Sequence, residues 1–352
     1  MLGMLTARRL LQEGLSVALL EQGKLCREAS WAGGGILSPL APWDYPEAVT
    51  ALVSWSQQYY PLLAAELLEQ TGIDPEWTQS GLLLTACEPD AIVQDWHRRH
   101  PCALEILDEA QLQEIEPGVA LGQGPAIHLP DVAQARNPRL GKALGIALQM
   151  QGMALYEDTR VTGLQLSQGK IQGVSTDQGD FAADYVVVAG GAWSAEILKG
   201  YTRELPVSPV LGQMIMFEAE PGLVRHIVLH DGHYLIPRRD GLLLAGSTLE
   251  YTGFNKETSN EARELLAAMA LELFPVLSDY PIVRHWAGLR PGTADGVPFI
   301  GEHNEISGLF LNTGHFRNGV VMAPGSAQLL VDGMVGRPGF TDPQPYLPGR
   351  IA

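Results

Sequence analysis

The sequence predicts an α/β fold (α+β overall) in two domains. The chain has 352 residues, which is enough to bury a large core and to divide into two domains. The first 21 residues are typical of a helix, a glycine and an apolar strand that ends at an acidic residue. Residues 185–194 combine an apolar strand, a glycine pair and the start of a helix. Strand–turn–helix units of this kind build the parallel sheets of dinucleotide-binding domains.

The N-terminal segment matches the second half of a dinucleotide-binding βαβ unit. Its helix ends near Gly14, a residue suited to a helix C-cap, and residues 15–21 form an apolar strand that we expect to be buried. Glu21 stands where an acid accepts hydrogen bonds from ribose hydroxyls, and Gly3 takes the place of the last glycine of GxGxxG. We therefore expect the first strand of the nucleotide-binding unit, with its first two glycines, to be missing from this chain through truncation.

Three consecutive glycines at residues 33–35 predict a loop, because glycine costs about 1 kcal/mol relative to alanine inside a helix. The neighbouring Ala29, Trp31 and Ala32 are not typical of a flexible linker. We interpret the loop as backbone that lies flat against a large planar group. Further on, apolar spacing predicts helices over 47–72, 91–99 and 108–115 and a strand over 81–85, none of which carries a chemical signature.

The middle of the chain returns to nucleotide-binding patterns. Residues 137–151 predict a helix with Pro138 in its first turn. A short strand opens at Val161, and residues 170–176 and 180–183 predict a hairpin. The parallel strand over 185–189 then leads through two glycines to Ser194 near a helix N-terminus, which makes this turn a second candidate phosphate loop.

The most specific pattern lies in residues 286–320. Arg290 and Arg317 each stand in a glycine-punctuated turn beside a short apolar strand. Glycine lets backbone N–H groups approach a ligand closely, and an arginine fork can hold a carboxylate with two parallel hydrogen bonds. The plainer alternative is a pair of surface arginines in tight turns.

Composition narrows the possible partners. A net charge of −17 argues against nucleic acid and against anionic membrane surfaces, since both require clustered Lys and Arg. No stretch of 18 apolar residues predicts a membrane span. Cys26, Cys87 and Cys102 are widely spaced, so we expect neither a metal site nor a disulfide framework, and the pattern favours the reducing cytoplasm.

Together these segments resemble the FAD-dependent amine oxidases of the D-amino acid oxidase family, and most of all the glycine oxidases of thiamine biosynthesis. The motifs that carry the resemblance are residues 19–21, 29–36, 184–194, 234–238, 245–248 and the C-terminal block. The resemblance implies a Rossmann-like FAD-binding domain and a second, mainly antiparallel-sheet, substrate-binding domain. The FAD-binding domain would be discontinuous, over residues 1–45, 135–205 and 285–352, with the substrate-binding domain over 46–134 and 206–284.

The resemblance also implies roles for individual residues. Arg290, Tyr234 and Arg317 would be the catalytic residues that hold the substrate, and Ile36 and Leu249 would line its pocket. Leu249 stands where glycine oxidases have methionine, a swap that conserves volume. Non-covalent FAD binding would fall to Leu2, Gly3, Glu21, Gln22, Ala29, Ser30, Gly34, Gly35, Ile36, Val161, His315, Phe316, Arg317, Asn318, Gly319, Val320 and Val321.

The activity implied is oxidative deamination of glycine, sarcosine and small D-amino acids. Its products would be the oxo acid, ammonia or an amine, and hydrogen peroxide, and the imine would serve thiamine thiazole synthesis. The expected partners are a small amino acid and oxygen, and the expected assembly is a homo-oligomer, dimer or tetramer.

Three alternatives stay open on the sequence alone. A sarcosine-oxidase-like enzyme with covalent FAD needs a cysteine in the C-terminal half, whereas all three cysteines precede residue 103. A D-amino acid dehydrogenase would pass its electrons to a quinone. A flavin-poor, inactive chain acting as a binding subunit is the third, because the first phosphate turn is expected to be incomplete.

Overall fold

The structure is a computed structural model that describes residues 1–85, 87–120, 125–202 and 205–350. Within these ranges the α-helices are α1 (Leu2–Gln12), α2 (Ala29–Ala32), α3 (Glu47–Thr71), α4 (Ala91–Arg99), α5 (Glu109–Ile115), α6 (Asn137–Met150), α7 (Ser194–Leu198), α8 (Asn260–Leu273) and α9 (Gly319–Met334). The strands are β1 (Ala18–Leu20), β2 (Thr78–Gln79), β3 (Leu82–Leu84), β4 (Glu105–Leu107), β5 (Ala126–Leu129), β6 (Ala133–Gln134), β7 (Ala154–Tyr156), β8 (Val161–Ser167), β9 (Lys170–Thr176), β10 (Gly179–Ala182), β11 (Val186–Val188), β12 (Ser208–Glu218), β13 (Ile227–His230), β14 (His233–Pro237), β15 (Leu242–Gly246), β16 (Ile282–Gly292), β17 (Phe299–Glu302) and β18 (Leu309–Thr313).

Eight strands form one large sheet in the order β16-β12-β15-β14-β13-β3-β5-β4. The pairing of β13 with β3 is parallel, and the other pairs of this sheet are antiparallel. Residues of α8, such as Leu266 and Met269, pack with Ile215 and Phe217 of β12 in one apolar core. The predicted mainly antiparallel second sheet is therefore confirmed.

The nucleotide-binding half contains the predicted parallel pairs. β1 pairs in parallel with β7, and β11 pairs in parallel with β18, whose other neighbour is β17. Four helices, α1, α3, α6 and α9, share a core that includes Met4, Leu52, Leu144 and Met322. This α/β arrangement confirms the fold class expected from the sequence.

β1 differs from its prediction in length and burial. A buried strand over residues 15–21 was expected, but β1 covers only Ala18–Leu20 and is partly exposed along its length. Its hydrogen-bonded neighbour is β7 alone, and in the described ranges no strand joins this pair to the β11–β18–β17 sheet. A strand paired on one edge only is covered less than a central strand of a parallel sheet.

Most local predictions agree with the structure. α3 ends at Gly72, which adopts a φ of 70°, the left-handed conformation that glycine supplies at a helix C-terminus. α5 begins with a capping box in which Asp108 and Gln111 satisfy each other's backbone. The hairpin is formed by β9 and β10, and residues 33–35 form a loop directly after the one-turn helix α2.

The division into domains stays a prediction. The expected boundary between residues 284 and 285 falls inside β16 (Ile282–Gly292). α3, expected in the substrate-binding domain, packs in the same core as α1 and α9.

In the ranges that the structure describes, no helix combines the length and apolarity needed to cross a bilayer.

Candidate active site

One cleft brings together residues from both ends of the chain. The predicted site residues that line it are Leu2, Ala29, Ser30, Gly34, Tyr234, Arg290, His315, Phe316, Arg317, Gly319 and Val320. Its described lining includes two arginines and no carboxylate side chain. In a chain whose net charge is −17, such a local positive field favours an anionic ligand.

Arg290 is held at one end of the cleft by the strands around it. It lies on β16, directly opposite Val210 of β12. Its Nη1 donates to the carbonyls of Leu211 and Thr248, both at 3.2 Å, and its Nη2 donates to Ser247 Oγ at 2.7 Å. These bonds use three of the five N–H donors of a guanidinium, and the side chain also interacts with Tyr234 on the cleft side.

Electrostatics at this end follow from burial. Burial lowers the pKa of Arg290; the adjacent Tyr234 opposes this shift and the positive Arg317 reinforces it. An arginine stays protonated despite such shifts. The two positive guanidinium groups repel each other. A carboxylate bound between them would offset this repulsion.

A glycine makes room for the guanidinium. A Cβ added to Gly212 of β12 would lie 2.2 Å from both Nη1 and Nη2 of Arg290. Real Cβ atoms do not approach other atoms so closely, so the side chain of Arg290 packs directly on backbone. The glycine thus determines the position of the arginine as much as its hydrogen-bond partners do.

Tyr234 stands on β14 and is 8% exposed. Its hydroxyl lies 3.9 Å from the sulfur of Met214, a weak acceptor that leaves the hydroxyl free for a better partner. Tyr234 also packs against the glycine loop, since a Cβ added to Gly34 would lie 3.4 Å from its ring. The loop and the tyrosine therefore form one wall.

The glycine loop is tightly held. Asn137 Nδ2 donates to the Gly33 carbonyl at 2.8 Å, Arg238 Nη2 to the Gly34 carbonyl at 2.7 Å and the Ala135 amide to the Gly35 carbonyl at 2.9 Å. Gly35 has a φ of 75°, and a Cβ there would lie 2.0 Å from the Ala135 carbonyl oxygen. The loop is therefore a rigid surface, not a linker.

Two helix N-termini also contribute to the lining of the cleft. α1 and α9 both begin there, with Leu2 and Gly319 among the lining residues. Neither helix has a side-chain N-cap, and neither has an acidic residue in its first turn. Free N–H groups and the positive ends of two helix dipoles thus face the cleft, which suits a phosphate group.

His315 also lines the cleft and is fully buried. Burial lowers its pKa to about 3, so its imidazole is neutral at physiological pH. Its Nε2 is 2.9 Å from Ser326 Oγ. The next residue, Phe316, has a φ of 45°, so the chain turns sharply before α9.

Other predicted residues lie outside the cleft lining: Gly3, Glu21, Gln22, Gly35, Ile36, Val161, Leu249, Asn318 and Val321. Asn318 and Val321 are buried, whereas Leu249 is 46% exposed. Glu21 accepts a hydrogen bond from the Gly23 amide at 3.0 Å, which leaves acceptor capacity for another donor. Burial raises the pKa of Glu21, and the Gly23 amide opposes the shift.

Several lining residues had no individual role assigned from the sequence, although Gly33 belongs to the predicted glycine loop. These are Met1, Ala32, Gly33, Ala189, Gly191, Gly212, Met214, Gly288, Pro291, Asn312 and Thr313. Ala189 and Gly191 belong to the predicted second glycine turn, so that signal could have found them. Gly212 and Met214 lie in the middle of β12, where no local motif marks them. Ser194, noted for its position at a helix start, is instead buried and bonded to Thr313 Oγ1 at 2.7 Å.

Comparison with known proteins agrees with this geometry. A family model described as FAD dependent oxidoreductase matches residues 1–333. Glycine oxidase of Pseudomonas aeruginosa is 47% identical over 352 residues, which cover 99% of this chain and 97% of that protein. The bifunctional protein ThiO/ThiG of Trichormus variabilis is 32% identical over 88% of this chain and 48% of its own length. The crystal structure of glycine oxidase from Geobacillus kaustophilus superposes with a TM-score of 0.94, at 30% identity, over 100% of this chain and 96% of that one.

The chain therefore belongs to the family of FAD-dependent oxidoreductases. Within that family it is an FAD-dependent amino acid oxidase of the glycine oxidase type, as the sequence motifs implied, and its cofactor is FAD.

The cleft fits this cofactor. The uncapped N-terminus of α1 can receive its pyrophosphate, and the bare backbone of Gly33, Gly34 and Gly191 adds further lining to the same cleft. None of the three cysteines, all of which are described, lines the cleft. Non-covalent binding of FAD stays a prediction.

Proposed function

We propose that this enzyme oxidises glycine, sarcosine and small D-amino acids to the oxo acid, ammonia or an amine, and hydrogen peroxide. The observation that carries the proposal is Arg290, whose guanidinium is fixed by three acceptors and lines the cleft together with Tyr234 and Arg317. A small amino acid whose carboxylate pairs with Arg290 can present its Cα to the flavin. The glycine oxidases to which the chain is similar support this substrate class.

The protein's part in the reaction is orientation. Arg290 and Arg317 attract the carboxylate, and the Tyr234 hydroxyl is placed to donate to it. When the carboxylate is held, a small substrate loses its rotational freedom on binding. The entropic cost of orienting the substrate is then no longer part of the activation barrier. Bound FAD would supply the acceptor for the hydride from Cα, and its reoxidation by oxygen, with uptake of two electrons and two protons by oxygen, would give hydrogen peroxide.

No protein base is required at the amine. The described cleft lining has no carboxylate, and burial keeps His315 neutral, with its Nε2 hydrogen-bonded to Ser326. The positive field of the two arginines also favours the neutral form of the substrate amine, because it disfavours a nearby ammonium group. The amine therefore loses its proton before or on binding.

A role in thiamine biosynthesis follows as the finer part of the proposal. The imine formed from glycine would supply thiamine thiazole synthesis, and similarity to ThiO/ThiG proteins supports this. The cytoplasmic location and the homo-oligomeric state stay predictions.

Activity assays on the purified holoenzyme test the proposal. Peroxide release should follow addition of glycine, sarcosine or D-alanine, with FAD absorbance in the visible spectrum. Dye reduction with a quinone acceptor but no peroxide would instead indicate a dehydrogenase. A colourless protein that stays inactive with added FAD would refute the proposal for this chain.

A further inference from the structure

A partly buried hydrogen-bond network lies next to the residues that hold Arg290. At its centre is Gln213 of β12, which is 1% exposed. Its Nε2 donates to Glu250 Oε1 at 3.0 Å, and its Oε1 accepts from the Ser259 amide at 2.9 Å and faces His285 Nε2 at 3.0 Å. The backbone N–H of Ser259 can only donate, so it fixes the orientation of the Gln213 amide. The amide nitrogen must then face the carboxylate.

Glu250 receives a second donor on the same oxygen. Thr248 Oγ1 donates to Glu250 Oε1 at 2.5 Å and accepts from the backbone N–H of Gln213 at 2.9 Å. The backbone of Glu250 also pairs with Leu211, through hydrogen bonds of 2.8 and 3.0 Å. Glu250 thus ties residues 247–250 to β12 through both its side chain and its backbone.

The same segment supplies the acceptors that hold the substrate arginine. Ser247 Oγ and the Thr248 carbonyl bind Arg290, and the third acceptor is the carbonyl of Leu211, the residue paired with Glu250. Both hydrogens of Nη1 and one of Nη2 are used. Arg290 is thus held from behind by three acceptors, all of which belong to residues 247–248 or to Leu211.

We propose that Glu250, through Gln213 and Thr248, is a positioning residue that fixes residues 247–250 and thereby orients Arg290 towards the substrate carboxylate. Glu250 does not line the cleft, so it acts on the substrate only through Arg290. The inference rests on the proposed function, in which Arg290 binds the carboxylate.

Two substitutions separate hydrogen bonding from charge. E250A removes the acceptor for both donors, whereas E250Q keeps an oxygen in the same place and removes only the negative charge. For the FAD-loaded enzyme with glycine, E250A should raise KM about tenfold, the loss of about 1.4 kcal/mol that one buried hydrogen bond typically contributes. Its kcat should stay within about threefold, and E250Q should stay near the wild type in both constants.

Direct binding gives a second readout. Acetate, a carboxylate that cannot be oxidised here, is titrated into the holoenzyme and followed by flavin absorbance. Its dissociation constant should rise about tenfold in E250A and far less in E250Q. T248V, which removes one of the two donors to Glu250, should give an intermediate value and remains informative if E250A fails to fold. E218A, at the exposed end of the same strand, is the matched control and should change neither constant.

The outcomes distinguish this inference from the proposed function. Wild-type constants in E250A and T248V, together with a large loss in R290A, would overturn the positioning role and leave the carboxylate site intact. Equal impairment of E250Q and E250A would show that charge, not hydrogen bonding, is responsible. If R290A also binds acetate and glycine normally, the carboxylate site itself lies elsewhere.

Discussion

The two ends of the cleft are constructed differently. At the end proposed for the phosphates, the candidate binding groups are backbone atoms from the first turn of α1 and from glycine turns. At the substrate end, one side chain, Arg290, is held by partners 79, 43 and 42 residues away in sequence. The first end depends on local chain geometry, and the second depends on the register of β12 and β16. Substitutions should therefore affect FAD binding at one end and substrate binding at the other, with little overlap.

The largest effect is expected from Arg290. Replacing it with alanine removes two charge-assisted hydrogen bonds to the carboxylate, and we expect KM for glycine to rise about 100-fold. Lysine keeps the positive charge but cannot form the two parallel hydrogen bonds of a guanidinium, so KM for glycine should rise about tenfold in R290K. FAD content, read from the ratio of visible to ultraviolet absorbance, should not change in either variant. A loss of FAD in R290A would mean that the two ends are not independent.

Paired glycine substitutions sharpen the comparison. In G212A the new Cβ would lie 2.2 Å from the Arg290 guanidinium, so the arginine must move and KM for glycine should rise about tenfold. In G3A the new Cβ would lie 3.5 Å from Ala189 Cβ and 3.9 Å from Leu19 Cδ1, which is ordinary contact. FAD affinity of G3A, measured by fluorescence titration of the apoprotein, should therefore stay within about threefold of the wild type. The reverse order of the two effects would contradict the structure.

The smallest effect is expected at Glu21. Burial raises its pKa above the ordinary value of 4.5, so the folded apoprotein binds this proton more tightly than the unfolded chain does. Its contribution to stability is then full below about pH 4.5 and is lost as pH rises through the raised pKa. E21Q should therefore melt a few degrees higher than the wild type at pH 8, and this difference should shrink towards pH 4.5.

E21Q should have the opposite effect on FAD binding: it is expected to stabilise the apoprotein but to weaken its affinity for FAD. If Glu21 accepts hydrogen bonds from the adenosine ribose, E21Q should bind FAD a few-fold more weakly. Equal melting temperatures at both pH values would contradict the burial of the carboxylate, and unchanged affinity would remove Glu21 from the FAD site.

Local elements were predictable because their signals are local. The glycine that ends α3, the capping box of α5 and the β9–β10 hairpin are each decided within a few residues. The length and burial of β1 were not predictable from the sequence, because both depend on whether another strand pairs with its second edge. The same limit applied to Gly212 and Glu250, which stand in segments without any motif.

The sequence by itself determined the fold class, the family and the two arginines at the heart of the cleft. These features can be recognised from neighbouring residues alone, because each reflects a local backbone requirement. They are the glycine runs, the acid that ends an apolar strand and the arginines in glycine turns. Only the tertiary structure decided how Arg290 is aimed, since β12 and the segment 247–250 reach it through long-range strand pairing. Hydrogen bonds between strands that are distant in sequence depend on the register of their pairing. A local sequence pattern does not specify which residues of two distant strands lie opposite each other.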